Sequence, residues 1–257
     1  MDKKKKLILG LFILVTCGFL FSAYSATRAV LIRSANYRSQ FQMYDIGVML
    51  NENGTPLAWR SYDVDTGDWY VNADAELLGA IDTIQYAKTY KEELSVTNSG
   101  QIDEYVRVSI YRYWVDAKGN KVTELEPDMV KLNFTDSDNW ILDETYSTDE
   151  RTVLYYALPL KGSESGISET SDNFLDSFIL DGDIKTYVIQ TETEEDADGY
   201  TVVTNTYKYD GTVFCLDVEV DAIQTHNAED AAMSAWGRQI RLEDETTGRI
   251  SLVQEGE

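Results

Sequence analysis

The chain has 257 residues and a formal net charge of −23, from 45 acidic and 22 basic side chains, with one His and two Cys. Phosphate binding needs clustered Lys and Arg, so this balance excludes a nucleic-acid partner. A single His removes His-pair zinc chemistry and weakens any Ser-His-Asp or Cys-His site, while 43% apolar residues supply a real core.

The N-terminus reads as a targeting segment. Asp2-Lys3-Lys4-Lys5-Lys6 is followed by an apolar run, Leu7 to Phe21, and then by Ser22-Ala23-Tyr24-Ser25-Ala26. This is the layout of a secretory signal peptide, with cleavage expected after Ser25 or Ala26. The competing reading is an uncleaved anchor, since Leu7 to Tyr24 is about the minimum that spans a bilayer. Cys17 lacks a lipoprotein-like context, because Thr16 precedes it and the apolar run continues past it. Cleavage leaves 18 basic residues (22 less four) and 44 acidic ones (45 less one), a net charge of −26. It also leaves Cys215 as the only Cys, so no internal disulfide supports the mature chain. The expected division is 1–26 signal peptide, 27–43 N-terminal extension and 44–257 a single domain.

Short alternating segments dominate the remainder. Ile46, Val48 and Leu50 share a face, and Asn53-Gly54 follows as a hairpin turn. Segment 84–96 predicts a strand that ends at the turn Asn98-Ser99-Gly100. Val106, Val108 and Ile110 alternate with Tyr105, Arg107 and Ser109. Lys118-Gly119-Asn120 predicts a turn, Val130, Leu132 and Phe134 a half-buried strand, and Leu154, Tyr156 and Leu158 another. Residues 161–173 read as a surface loop, with a weak helix at Ser171 to Phe178. Strands are expected at 184–193 and 200–209, with the acidic stretch Thr191 to Asp198 as a loop and Asp198-Gly199 as a turn. Asp210-Gly211 reads as a second hairpin loop. Phe214, Leu216, Val218, Val220 and Ala222 then face one way, and Cys215, Asp217, Glu219 and Asp221 the other. Ala228 to Trp236 predicts a short helix, capped by Asn227 and ended by Gly237, that packs Trp236 on the sheets. A last strand is expected at 249–254. The fold class is therefore all-β, an antiparallel β-sandwich of jelly-roll type with one or two short helices.

Candidate chemistry is sparse. His226 has no spaced ligand partner and reads as a surface residue beside the helix. Cys215 lies beside Asp217 and Glu219, whose negative charge disfavours a thiolate nucleophile. The loops Asp63-Val64-Asp65-Thr66-Gly67-Asp68 and Glu194-Glu195-Asp196-Ala197-Asp198-Gly199 crowd carboxylates near a Gly. Neither has the twelve-residue calcium loop with its terminal Glu, so calcium is a weak expectation. No catalytic, cofactor or metal residue is assigned.

Three stretches carry a family resemblance. The first is the Lys-rich signal with the later segment Tyr44-Asp45-Ile46-Gly47-Val48-Met49-Leu50-Asn51-Glu52-Asn53-Gly54. The second is Tyr90 to Val108, with Thr97-Asn98-Ser99-Gly100 and Tyr105-Val106-Arg107-Val108 at its centre. The third is Ala222 to Gly237, with an Ala-x-Gln start and an Ala-Ala-…-Trp end. In these the chain resembles the TasA/camelysin family of exported Gram-positive proteins. It departs from the family after the small-residue site, where Thr27-Arg28-Ala29-Val30 replaces the usual aromatic-Thr-Asp motif.

The resemblance implies a jelly-roll subunit of extracellular or cell-surface fibres in a biofilm matrix. Its partners would be other copies or matrix proteins, with a signal peptidase during export and the membrane before cleavage only. It also implies donor-strand assembly, in which the N-terminal segment of one subunit completes the sheet of the next. Thr27 to Gln42 is the candidate donor, with Ala29, Leu31, Ala35, Tyr37 and Phe41 entering alternate pockets. The same segment is equally readable as an untethered mature N-terminus or as the domain's own first strand. Two other functions stay open at this point. An exported metallopeptidase is suggested by the camelysin name but lacks a His-Glu-x-x-His motif. A carbohydrate-binding or adhesin module is the other, since all-β folds commonly host one.

Overall fold

The computed structural model describes residues 46–254 except 64–67, 74–76, 82–83 and 196–200. The expected signal peptide and the donor positions Ala29, Leu31, Ala35, Tyr37 and Phe41 lie outside the described residues, as do most of the two acidic candidate calcium loops and the Asp198-Gly199 turn.

Two antiparallel sheets pack face to face. The larger contains β1 (Val48–Glu52), β2 (Thr55–Asp63), β3 (Asp68–Ala73), β4 (Thr89–Asn98), β6 (Val130–Phe134) and β9 (Leu175–Leu180), in the order β3-β2-β1-β4-β9-β6. The smaller contains β5 (Glu104–Val115), β7 (Trp140–Leu142), β8 (Arg151–Tyr156) and β12 (Val213–Gln224), in the order β12-β5-β8-β7. The core between them is built by the alternation read from the sequence. Val106, Val108 and Ile110 of β5 and Leu154 and Tyr156 of β8 meet Leu50, Leu94, Val96 and Leu175 of the larger sheet. An all-β antiparallel sandwich is thus what this chain forms.

The outer face of the smaller sheet carries a second core. Helix α1 (Ala228–Trp236) buries Ala232 and Trp236 against Tyr105, Val153 and Tyr155. The Tyr155 and Trp236 rings meet edge to face at 5.3 Å, a geometry that suits the aromatic quadrupole. The ribbon β13 (Ile240–Asp244) and β14 (Arg249–Leu252) adds Ile240 and Ile250 to this cluster. Gly237 ends the helix at φ +66°, its N–H bonded to the Met233 carbonyl at 3.2 Å. Asn227 occupies the N-cap position, but its side chain makes no capping bond; its backbone is left-handed, which turns the carboxamide away from that role.

Asn53-Gly54 forms the expected hairpin. With φ of 50° and 76° and Glu52 opposite Thr55, it is a two-residue turn whose twist suits the strands.

Several expectations are corrected. Asp210-Gly211 joins β11 (Thr201–Tyr207) to β12 in a different sheet, so it is a turn and not a hairpin loop. The weak helix at 171–178 is extended chain leading into β9. The edge of β4 claims its amides: Ser171 and Phe174 donate to the Val96 and Leu94 carbonyls at 2.8 Å each. One α-helix therefore stands among the described residues, beside three short 3-10 turns. The acidic stretch from Thr191 lies mostly in a strand, β10 (Val188–Glu195), which pairs with β11 as a separate ribbon.

The Thr-Asn-x-Gly segment is a buried polar hub. Asn98 is fully buried; its amide donates to the carbonyls of Ile102 (2.8 Å) and Leu160 (2.9 Å) and its Oδ1 accepts from Gly100 N (2.8 Å). Ser99 and Gly100 in turn bond the Gly47 carbonyl at 2.8 and 3.2 Å. These bonds satisfy groups that burial would otherwise make costly. They also fix Gly47, where the chain enters β1.

Candidate functional site: the free edge of strand β12

β12 runs for 12 residues and pairs, among the described residues, only with β5, from Val213 opposite Val115 to Gln224 opposite Glu104. Its other side therefore offers a long row of backbone donors and acceptors without a strand partner. Its inward residues Leu216, Val218 and Val220 pack on the main core yet stay only half-buried. Ile110 and Val108, which lie opposite Val218 and Val220 on β5, are fully buried. The difference marks the sandwich as open along this edge.

The larger sheet shapes the opening. β1 comes close to β12, and in strand order β2 and β3 continue beyond β1. The smaller sheet ends at β12, so it has no strand to set opposite them. A strand added beside β12 would lie in that lane, the arrangement that β-augmentation requires.

The outward face of β12 is acidic. Asp221 pairs with Arg107, which also stacks over the Trp236 ring at 5.8 Å. Asp217 accepts from the Tyr113 hydroxyl at 2.7 Å, and this bond, ahead of burial, pushes the phenol up to about 12. Cys215 is free and half-buried; burial first and Asp217 second push its thiol up, away from nucleophilic behaviour. A recess of about 390 Å³ lies on this face, lined by Tyr111, Tyr113, Lys121, Glu150, Asp217 and Glu219.

Two buried carboxyls hold the strand that neighbours the site. Glu104 is fully buried at the start of β5 and accepts from Gly47 N at 3.3 Å; burial pushes it up to about 8. Glu92 is buried on β4 and is pushed up to about 8, by burial first and then by hydrogen bonding and charge from Glu52 at the end of β1. Each has one carboxyl oxygen without a hydrogen-bond partner. Neither stood out in the sequence, because a carboxyl's burial depends on segments far along the chain.

His226 is exposed beside α1. Among the described residues no group of three or more His, Cys, Asp or Glu side chains is placed to hold a metal ion. The three stretches of the family resemblance, where described, lie side by side: β1 pairs with β4, and β5 pairs with β12. Comparison with protein-family models, curated proteins and solved structures gave no match.

Proposed function

We propose that this chain is an exported, non-catalytic structural subunit of extracellular or cell-surface fibres. In this reading, donor-strand complementation joins the subunits: residues 27–42 of one fill the lane beside β12 of the next. The 12-residue edge of β12, which has no strand partner among the described residues beyond β5, is the observation that carries it. The jelly-roll winding, the biofilm-matrix setting and the secreted location come with the TasA/camelysin resemblance, and the adjacency of its matched stretches supports them.

Length and charge suit the pairing. A 12-residue strand is about 40 Å long, and residues 27–43, fully extended, span roughly 56 Å. The donor has no acidic residue and carries Arg28 and Arg38 on the face opposite its pocket residues, whereas the outer face of β12 carries Asp217, Glu219 and Asp221. Residues 44–257 hold 15 basic (18 less three) and 44 acidic side chains, so a basic donor meets a strongly acidic acceptor.

The test is electron microscopy of the processed protein with and without residues 27–42. Filaments should form only with the segment, and a synthetic 27–42 peptide should bind the truncated domain. Normal polymerisation of the truncated protein would refute the reading.

A second reading, a carbohydrate-binding surface, is favoured by the Tyr111 and Tyr113 recess with its carboxylates. A glycan array hit abolished by Tyr113→Ala would establish it. The metallopeptidase reading lacks support, since the sequence has no His-Glu-x-x-His motif and no metal-holding cluster stands among the described residues; casein cleavage lost on chelation would restore it.

A further inference from the structure

The β10–β11 ribbon stands apart from both sheets on an anchored root. Tyr209 is buried against Trp114, with ring centroids 4.9 Å apart, and donates its hydroxyl to Glu126 at 2.6 Å. Lys208 adds an ion pair to the same carboxylate, and its N–H bonds the Tyr187 carbonyl at 2.8 Å. Beyond this root every residue of both strands is exposed. The exposed residues include Ile189 (59%), Val202 (45%) and Val203 (57%). A two-stranded ribbon without a packed face is marginal in water, so this one is poorly explained as a structural element alone.

Its two edges differ. β10 carries Glu192, Glu194 and Glu195 and an irregularity after Val188. Charges and bulges are the usual protection against unwanted strand pairing. β11 reads Thr-Val-Val-Thr-Asn-Thr-Tyr, with no charge, Pro or Gly. Among the described strands longer than three residues, it alone lacks a charged side chain. Such a segment has high β-propensity and nothing to repel a partner.

We propose that β11 is a pairing edge for a second copy of this chain, joining two molecules into an antiparallel four-stranded sheet, β10-β11-β11′-β10′. Antiparallel self-pairing is two-fold symmetric, so one strand supplies both halves of the contact. Two molecules of net charge −23 meet most cheaply where neither is charged, and β11 is that place. Pairing through β10 would instead bring three glutamates from each copy to one edge. Centring the axis on Thr204 aligns all seven residues. Thr204 then faces its own copy, Val203 faces the second copy's Asn205, and Val202 faces the second copy's Thr206. The contact is distinct from the β12 edge and does not depend on the fibre reading; where fibres form, it ties them side by side.

Cross-linking of the whole chain tests it, in a Cys17→Ser, Cys215→Ser background. Mild oxidation should convert Thr204→Cys to a covalent dimer and leave Thr191→Cys on β10 monomeric. Sedimentation should show a reversible dimer that Thr204→Glu weakens roughly fivefold, with an unchanged circular dichroism spectrum. Deleting residues 27–42 should abolish filaments and keep this dimer. A chain that sediments only as a monomer, or equal cross-linking at positions 204 and 191, would overturn the proposal. So would loss of the dimer on deleting 27–42, which leaves the fibre reading standing.

Discussion

Glu104 makes the pH dependence of this fold measurable. Its carboxyl is fully buried, and the groups against it are neutral: the Gly47 N–H, the Leu160 backbone bridge and Gln224 across the ladder. Burial therefore raises it to about 8 in the native state, while an unfolded Glu titrates near its ordinary value of about 4.3. Below that value both states hold the proton, and the stabilising contribution is fully present. Between there and about 8 the unfolded chain releases its proton and the native state keeps it, so stability falls as pH rises, by about 1.4 kcal/mol per unit for this group. Over the whole window the loss is on the order of 5 kcal/mol. Glu104→Gln removes the titration and keeps an acceptor for Gly47 N. Urea unfolding followed by Trp fluorescence from pH 5 to 9 should show the wild type weakening with pH and the variant weakening about half as steeply, since the buried Glu92 still titrates in it. Parallel pH profiles for the two proteins would refute the assignment of a buried neutral carboxyl.

The other expectations follow from equally local facts. Asp143 and Arg238 form an ion pair at 2.7 Å with side chains 2% and 4% exposed; Asp143→Ala should cost about 3–5 kcal/mol in urea unfolding, and an apolar pair at both positions should recover most of it. Gly162 leaves no room for a Cβ, which would run into the Gln101 and Ile102 carbonyl oxygens; Gly162→Ala should cost about 2 kcal/mol and lower Tm by roughly 5 °C in a thermal melt. Light scattering should show faster assembly at high salt and at pH values near 4, where the carboxylates are screened or protonated, and independence from both would count against charge-limited association.

A wet face makes a strand easy to read. β12 announces itself because Cys215, Asp217, Glu219 and Asp221 interrupt Leu216, Val218 and Val220 at every second position. β10 was legible only in part. The strand expected at 184–193 covers Val188 to Thr193, but it starts too early, over the 3-10 turn Gly182–Lys185, and Glu194 and Glu195 read as loop because both faces of the strand are exposed and carboxylates crowd its end. The helix expected at Ser171 to Phe178 had little local support, since all but Leu175 of its residues are weak helix formers. What decides the conformation of that stretch is the neighbouring strand β4, about 75 residues earlier, which takes its amides. The openness of β12 was illegible in principle, since alternation reports which residues face the core but not which strand lies at a sheet's rim.

That limit gives the acidity of the chain a more specific meaning than solubility. An all-β protein with a 12-residue edge unpaired among the described residues, and with an unpacked ribbon, is prone to indiscriminate pairing. Charge is placed where it restricts this: Asp217, Glu219 and Asp221 on β12, and three glutamates on β10. Against that field a neutral or acidic strand would gain little at β12, while the proposed donor, with Arg28 and Arg38 on its outward face, would gain both backbone bonds and charge pairing. β11, without charge, sits outside the rule and admits only a partner that is equally uncharged along its edge. On the two proposals, electrostatics alone would give the edges different occupants: a basic segment for β12, and a neutral strand such as β11 itself for β11.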